Sequence, residues 1–427
     1  MPTTALSAAT AALRCRRRVT LSSASASLFS TLTSLSSGSY RLPASQQLRS
    51  APSPSPPTLS HTPIAKMATA ASASSSTGAR KPSRIVGKHA SRIHEEFSKG
   101  IDVWTLFGAG FGHTDNVNLG QGFMNFPPPP YVRQAITEAL NERVDVHHYA
   151  HAKGIPRLRN AIADFYSASF RKPADEGRDV WDSDGAQDLP KRRPDAGVKL
   201  NPDADIVVTP GANQGMYCVL AAFLEPGDEV ITFEPAFDQY HCEATFNNGK
   251  PVYVPFIPPS ADAPTNKSGP SRNMPSSNDW KVDWEALEKA MASPKAKVII
   301  YNSPHNPLGK VYTEPELARL AALCIKYDLL VIADEVYDCL TYDGIEHIRL
   351  ANFEGMWERT ITIGSAGKSF AATGWRVGWC IGPAHLIQPT WVVHVRISFC
   401  TNHAASVGGE CCFLYCCSWS SLSGADA

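Results

Sequence analysis

A lysine that must form a Schiff base with an aldehyde needs small neighbours that let its partner approach the backbone. Lys368 has them, in the segment IGSAGKSFAATGWRVG at Ile363–Gly378, just after a strand-like apolar run at Thr360–Ile363. Ser365 and Arg376 flank the lysine, and both suit a phosphate. Two upstream segments add complementary groups: YNSPHNPLGK at Tyr301–Lys310 and VIADEVY at Val331–Tyr337. Asp334 follows an apolar run, and a carboxylate set against a pyridine nitrogen keeps it protonated, turning the ring into an electron sink. Tyr337 and Asn306 are placed to hydrogen-bond a ring hydroxyl. A solvated lysine or a capping carboxylate is the plainer reading of any one of these residues alone. Their convergence points instead to pyridoxal 5′-phosphate (PLP).

The elements between these segments must bring them together. Strands are expected at Ile206–Val208, Glu229–Phe233, Val252–Pro255, Lys297–Tyr301, Leu329–Ala333, Thr360–Ile363 and Val377–Ile381. Helices are expected at Gly211–Leu224 and Glu314–Tyr327. Upstream, one helix should start at Tyr131 with Val132, Ile136 and Leu140 on one face, and another should run from Arg157 to Phe170. Short apolar strands alternating with amphipathic helices predict an α/β fold with a mostly parallel sheet covered on both faces. Ligands in such sheets bind at the carboxyl ends of the strands, where Asp334, Asn302, Asn306, Gly211 and Ser365 all fall. The turn Pro210–Gly215 (PGANQG) opens a helix whose free N–H groups form an anion site. Phe237, in EPAF after another strand, can stack on a ring or simply pack in the core.

Charge is unevenly spread. No acidic residue precedes Glu95, while that stretch carries twelve Lys or Arg; removing those twelve leaves 28 basic against 40 acidic residues. An acidic body argues against nucleic-acid binding. The Ser-, Ala- and Arg-rich leader has the composition of a mitochondrial transit peptide, and a start at Met67 would give a cytoplasmic form lacking its most Arg-rich part. No run of 18 apolar residues occurs, so no membrane span is expected. Eleven cysteines without CxxC pairs favour reduced thiols, and the cluster Cys411, Cys412, Cys416 and Cys417 lacks zinc spacing. His147, His148 and His151 have no cysteine nearby and the cofactor chemistry needs no metal, so none is expected. Arg171–Pro202 and Pro258–Ser277 read as surface insertions.

The chain resembles the PLP-dependent aminotransferases of the aspartate aminotransferase fold, and within them the kynurenine aminotransferase / glutamine transaminase K (cysteine-S-conjugate β-lyase) group. NLGQGFMNFPPP, EPAFDQY, NSPHNPLGKVY, ADEVYDCLTYDG, GMWERTITIGSAGKSFAATGWRVGW and HVRISFCTNHA carry the resemblance over residues 84–400. It implies that Lys368 carries the cofactor and shuttles the proton between Cα and C4′. It also implies that Asp334 pairs with the pyridine nitrogen, that Asn306 and Tyr337 bind the ring hydroxyl, and that Phe237 stacks on the ring. Ala212 and Asn213, through their backbone, would hold the phosphate with Ser365 and Arg376. Asn213 stands where animal relatives commonly carry an aromatic. Trp104, Gly122, Tyr149 and Asn306 would line the substrate pocket, with Tyr149 given to the neighbouring subunit of a homodimer. The implied reaction is ping-pong transamination between an amino acid and a 2-oxo acid, turning kynurenine into the oxo acid that cyclises to kynurenic acid. A cysteine-conjugate β-lyase and another aromatic or alanine-type aminotransferase remain alternatives.

The expected organisation is a leader at 1–66, a linker at 67–92, an arm with part of a small domain at 93–125 and a large PLP-binding domain at 126–393. Residues 394–427 would begin the small domain and end in a divergent, truncated tail. After about Ala405 the resemblance stops, and SVGGECCFLYCCSWSSLSGADA shows no helical or strand periodicity. An arginine to pair with the substrate carboxylate has no counterpart there, so an inactive product with an incomplete small domain and substrate site is a further alternative.

Overall fold

The prolines at Pro127–Pro130 also start the first helix, because proline at the first turn forfeits an N–H that has no partner there. The computed structural model describes residues 120–170, 189–192, 199–260 and 275–420. The leader, the linker, Trp104 and most of the arm and of both insertions lie outside the described residues. In chain order the elements are α1 (Pro130–Glu142), α2 (Pro156–Ser169), β1 (Ile206–Thr209), α3 (Ala212–Phe223), β2 (Glu229–Glu234), α4 (Gln239–Phe246) and β3 (Lys250–Ile257). Then come β4 (Lys281–Val282), α5 (Trp284–Met291), β5 (Ala296–Asn302), α6 (Glu314–Lys326), β6 (Leu330–Asp334), β7 (Thr360–Ser365) and α7 (Ala366–Ser369). The chain continues through β8 (Gly378–Ile381), α8 (Ala384–Ser398) and α9 (His403–Ser420). A capping box of Thr313 and Glu316 opens α6.

Eight strands form one sheet in the order β1-β8-β7-β6-β5-β2-β3-β4. The run β7-β6-β5-β2-β3 is parallel, β8 is antiparallel to both its neighbours, and β4 is antiparallel to β3. The expected mostly parallel mixed sheet is therefore present. Alternate residues of the central strands face opposite layers. Ile231, Ile299, Tyr301, Val331 and Ala333 pack on Leu287 of α5 and on Leu317 and Leu320 of α6. Val230, Val298, Ile300 and Ile332 pack on Met216, Val219 and Leu220 of α3 and on Tyr240 of α4. This two-sided burial explains why the central strands read as unbroken apolar runs.

Three expectations need correcting. Leu140 is exposed, so α1 buries Val132 and Ala139 instead of a stripe reaching Leu140. Arg192 and Leu200, within the expected surface insertion, are buried; Arg192 makes an ion pair with Glu346 at 3.2 Å. The tail is helical after Ala405. Val407 and Phe413 of α9 join Leu158, Ile162 and Tyr166 of α2 and Trp379 of β8 in one core. Phe413 meets Phe165, Tyr166, Phe370 and Trp379 at ring-centroid distances of 5.1–6.0 Å. Buried Glu410 pairs with Arg157 at 2.7 Å. The periodicity is hidden because the helix packs through small residues: a Cβ at Gly408 would stand 2.5 Å from Ile136 Cδ1 and 2.8 Å from Trp375 Cζ3.

Phe413→Ala should therefore cost about 3–5 kcal/mol of unfolding free energy, as for truncating any large buried aromatic. Denaturant titration of the soluble protein measures it, and a loss within experimental error of zero would place α9 outside the core.

Candidate active site

The carboxyl ends of β1, β5, β6 and β7 lie on one edge of the sheet, and the reversed β8 starts there too. Asp334 closes β6 and is buried, 5% exposed as a residue. Its Oδ2 accepts a hydrogen bond from the Tyr240 hydroxyl at 2.6 Å, and its Oδ1 accepts one from the Val336 N–H at 3.4 Å. Burial pushes Asp334 up to about 6; the Tyr240 and Val336 bonds and the charge of Lys368 work against that rise, while Glu335 adds to it. Burial, then the charge of Asp334, lifts Tyr240 far above the usual phenol range, so its hydroxyl stays a donor. The same two causes take Glu243, on the same helix, up to about 9, leaving a neutral acid behind the site.

Lys368 sits on α7, with its Nζ donating to the Gly122 carbonyl and lying 5.5 Å from the Tyr337 ring centroid. Gly122 lets the amine come close, since a Cβ there would stand 2.8 Å from that nitrogen and the flexible lysine would have to shift. Burial lowers the pKa of Lys368; Asp334 opposes the shift and Arg376 adds to it. A lowered pKa leaves more free amine to act as a nucleophile. Tyr337 is pushed up to about 12 by burial and by Asp334, so its hydroxyl also stays protonated.

Away from the carboxylate, the site turns cationic. Gly211 adopts φ 91° ahead of α3, and a Cβ there would collide with the Arg376 guanidinium. Arg376 itself sits in the left-handed region at φ 55°, and its Nη1 donates to the Thr373 carbonyl at 3.0 Å. Ala212 and Asn213 open α3, where first-turn N–H groups have no partner within the helix, and a Cβ at Gly378 would lie 2.6 Å from the Ala212 nitrogen. Ser365 ends β7, buried beside this turn. A buried carboxylate, a primary amine with a phenol, and a cationic helix N-terminus thus follow one another. Such a donor set suits a ligand with a ring nitrogen at one end, a phosphate at the other and an aldehyde between.

The remaining expected residues divide. Asn306 is held by its own N–H, which donates to Asn302 Oδ1 at 2.6 Å, while Asn302 Nδ2 donates to the Asp334 carbonyl at 2.8 Å. Phe237 meets Tyr240 edge-on at 5.7 Å, beside the carboxylate. Tyr149 stands apart, 81% exposed and packed edge-on against Phe399 at 4.9 Å. His147 contacts the Leu140 carbonyl at 3.1 Å, and His151 accepts from the Lys153 N–H at 3.1 Å. Sequence reading gave no role to Tyr240, the last residue of EPAFDQY; a phenol six residues beyond a strand end was the available signal.

A family model for class I and II aminotransferases matches residues 114–408. Kynurenine–oxoglutarate transaminase 1 of Rattus norvegicus is 37% identical over 323 residues, covering 75% of this chain. The chain spans 68% of that relative and 60% of kynurenine–oxoglutarate transaminase 3 of Bos taurus. N-succinyldiaminopimelate aminotransferase from Mycobacterium tuberculosis superposes with a TM-score of 0.62 at 30% identity, over 77% of this chain and 73% of that one. Aspartate aminotransferase from Thermus thermophilus does so with a TM-score of 0.58 at 26% identity, over 81% and 75%.

The raised pKa of Asp334 has a measurable sign. In cofactor-free protein the folded state holds this proton more tightly than the unfolded chain, so stability should fall as pH rises from about 4 to about 6 and then level off. A shift of about two units corresponds to about 3 kcal/mol. Asp334→Asn should abolish that part of the decline. Denaturant titrations of both proteins at pH 4 and 7.5 check this, and parallel declines would contradict the assignment.

Proposed function

The chain belongs to the class I and II aminotransferase family, and we propose that it moves an amino group from an amino acid to a 2-oxo acid with PLP as its cofactor. The family and its fold are PLP-dependent, and the observation that carries the reading is Lys368. Its half-buried amine is coupled to buried Asp334 on one side and to Arg376 at the helix N-terminus on the other. Lys368 would attach the aldehyde carbon, Asp334 would face the ring nitrogen, and Asn306 and Tyr337 would hold the ring hydroxyl. Phe237 would cover one ring face, with the phosphate held by Ser365, Arg376 and the N–H groups of Ala212 and Asn213. When bound, the cofactor supplies a protonated ring that accepts the electron pair left as Cα loses its proton.

The residues then divide the work. Desolvation favours the free base of Lys368, which would be the group that takes the proton from the substrate Cα. Tyr240 fixes the orientation of the Asp334 carboxylate, which would face the ring nitrogen and keep it protonated. The Gly122 carbonyl holds the Lys368 amine by accepting its hydrogen bond. The names of the relatives support kynurenine as donor and 2-oxoglutarate as acceptor. We also propose a homodimer in which exposed Tyr149 serves the neighbouring subunit's site. The Arg-rich leader supports mitochondrial import, with a cytoplasmic form from Met67.

Loading with PLP, borohydride reduction and peptide mapping should place the pyridoxyl group on Lys368, and label on another lysine would overturn the assignment. Lys368→Ala should lower turnover by on the order of a thousandfold or more. Kynurenine consumption with 2-oxoglutarate tests the substrate; turnover confined to other amino donors would remove kynurenine while leaving transamination in place.

A further inference from the structure

Arg349 lies next to the site and is used by none of the chemistry above. Its guanidinium is buried against two adjoining aromatic rings, 4.7 Å from the centroid of Tyr166 and 5.2 Å from that of Phe170. Nη1 pairs with Glu335 Oε2, Nη2 with Asp338 Oδ2 at 2.8 Å, and Nε donates to Ser169 Oγ at 2.9 Å. His347 lies 3.1 Å from the same Glu335 oxygen. Each carboxylate held by Arg349 is the immediate neighbour of a site residue, Glu335 of Asp334 and Asp338 of Tyr337. The backbone between them is a tight turn, with the Asp338 N–H donating to the Glu335 carbonyl at 3.0 Å and the Glu335 N–H to the Ile363 carbonyl at 3.1 Å. One planar cation therefore fixes both ends of the turn that presents Asp334 and Tyr337.

We propose that Arg349 is a positioning residue for the reaction: by pairing with Glu335 and Asp338 it sets the placement of Asp334 and Tyr337 and cancels the negative charge beside Asp334. The inference rests on the reading that Asp334 faces the cofactor ring. Its electrostatic half follows from what surrounds that carboxyl. Glu335 pushes Asp334 toward its neutral form, and Lys368 from α7 opposes it. Tyr240 and the neutral Glu243 face it from α4, and Tyr337 from its own turn. Burial works against the Asp338 carboxylate, yet Arg349 and His347 hold it below the usual range. Without the guanidinium, His347 would be left to face two buried carboxylates that stand next to a third.

Four variants test this: Arg349→Met, Arg349→Lys, Glu335→Gln, and Arg349→Met combined with Glu335→Gln. The pH dependence of stability in cofactor-free protein, measured against the same variants carrying Asp334→Asn, reports Asp334 without any turnover. Arg349→Met should move that titration up by about one pH unit, and the combined variant should bring most of it back. Arg349→Lys, which keeps a charge but cannot span both carboxylates, should lower kcat roughly tenfold with KM for the amino donor within about twofold. Should Arg349→Met not fold, Glu335→Gln still decides, because removing that charge should shift the Asp334 titration down. An unmoved titration in every folded variant, with kcat and KM changed in proportion to lost stability, would overturn the proposal. Labelling of a lysine other than Lys368 would instead overturn the functional reading, with the cofactor-free titration still reporting on Arg349.

Discussion

A carboxyl group at the end of the central strand, taken almost wholly out of water, is the constraint on which this architecture depends. Burial alone would keep Asp334 neutral, and a neutral acid cannot hold a proton on a basic ring. Every neighbour bears on that balance. The Tyr240 hydroxyl and the Val336 N–H donate to the carboxylate, Lys368 supplies a positive charge, and Glu243 avoids adding a negative one by keeping its own proton. Asn302 fixes the backbone from behind by donating to the Asp334 carbonyl. The group is left near the middle of its titration range, where an incoming cationic partner can finish the ionisation.

Sheet topology explains how so many groups reach one edge. Strands β1, β5, β6 and β7 deliver residues at their carboxyl ends, as parallel sheets do. Strand β8 runs against β1 and β7, so the residues preceding it, Arg376 and Val377, arrive at the same edge from the opposite chain direction. The guanidinium then lies over Gly211, a position only glycine permits, and closes the cationic end. A parallel strand in that place would carry Arg376 to the far side of the sheet.

Much of this was legible in the sequence, because the strands are continuous apolar runs and the reactive residues stand where those runs stop. Lys368, Asp334, Asn306, Ser365 and Arg376 are all of that kind. The misses have physical reasons. Tyr240 lies on a helix with little amphipathic pattern, so nothing marked its inward face. Arg349 is an arginine in a loop, a type that sequence places in solvent by default, and only the folded chain reveals its two carboxylates and two aromatic rings. The helix at His403–Ser420 was missed because it packs through glycine and cysteine, which carry no strong hydrophobic period. Leu140 had the right spacing for burial, but among the described residues no element covers that part of α1.

The glycine at 408 has a consequence beyond close packing. Its bare Cα faces the indole of Trp375, the residue just before Arg376. The final helix is thus mechanically continuous with the cationic end of the site, through one aromatic ring and one peptide bond. A methyl group added at that point would act as a wedge, pressing first on Ile136 of α1 and then on the tryptophan that precedes Arg376. The helix at His403–Ser420 is in this sense a backstop for the cationic end of the site.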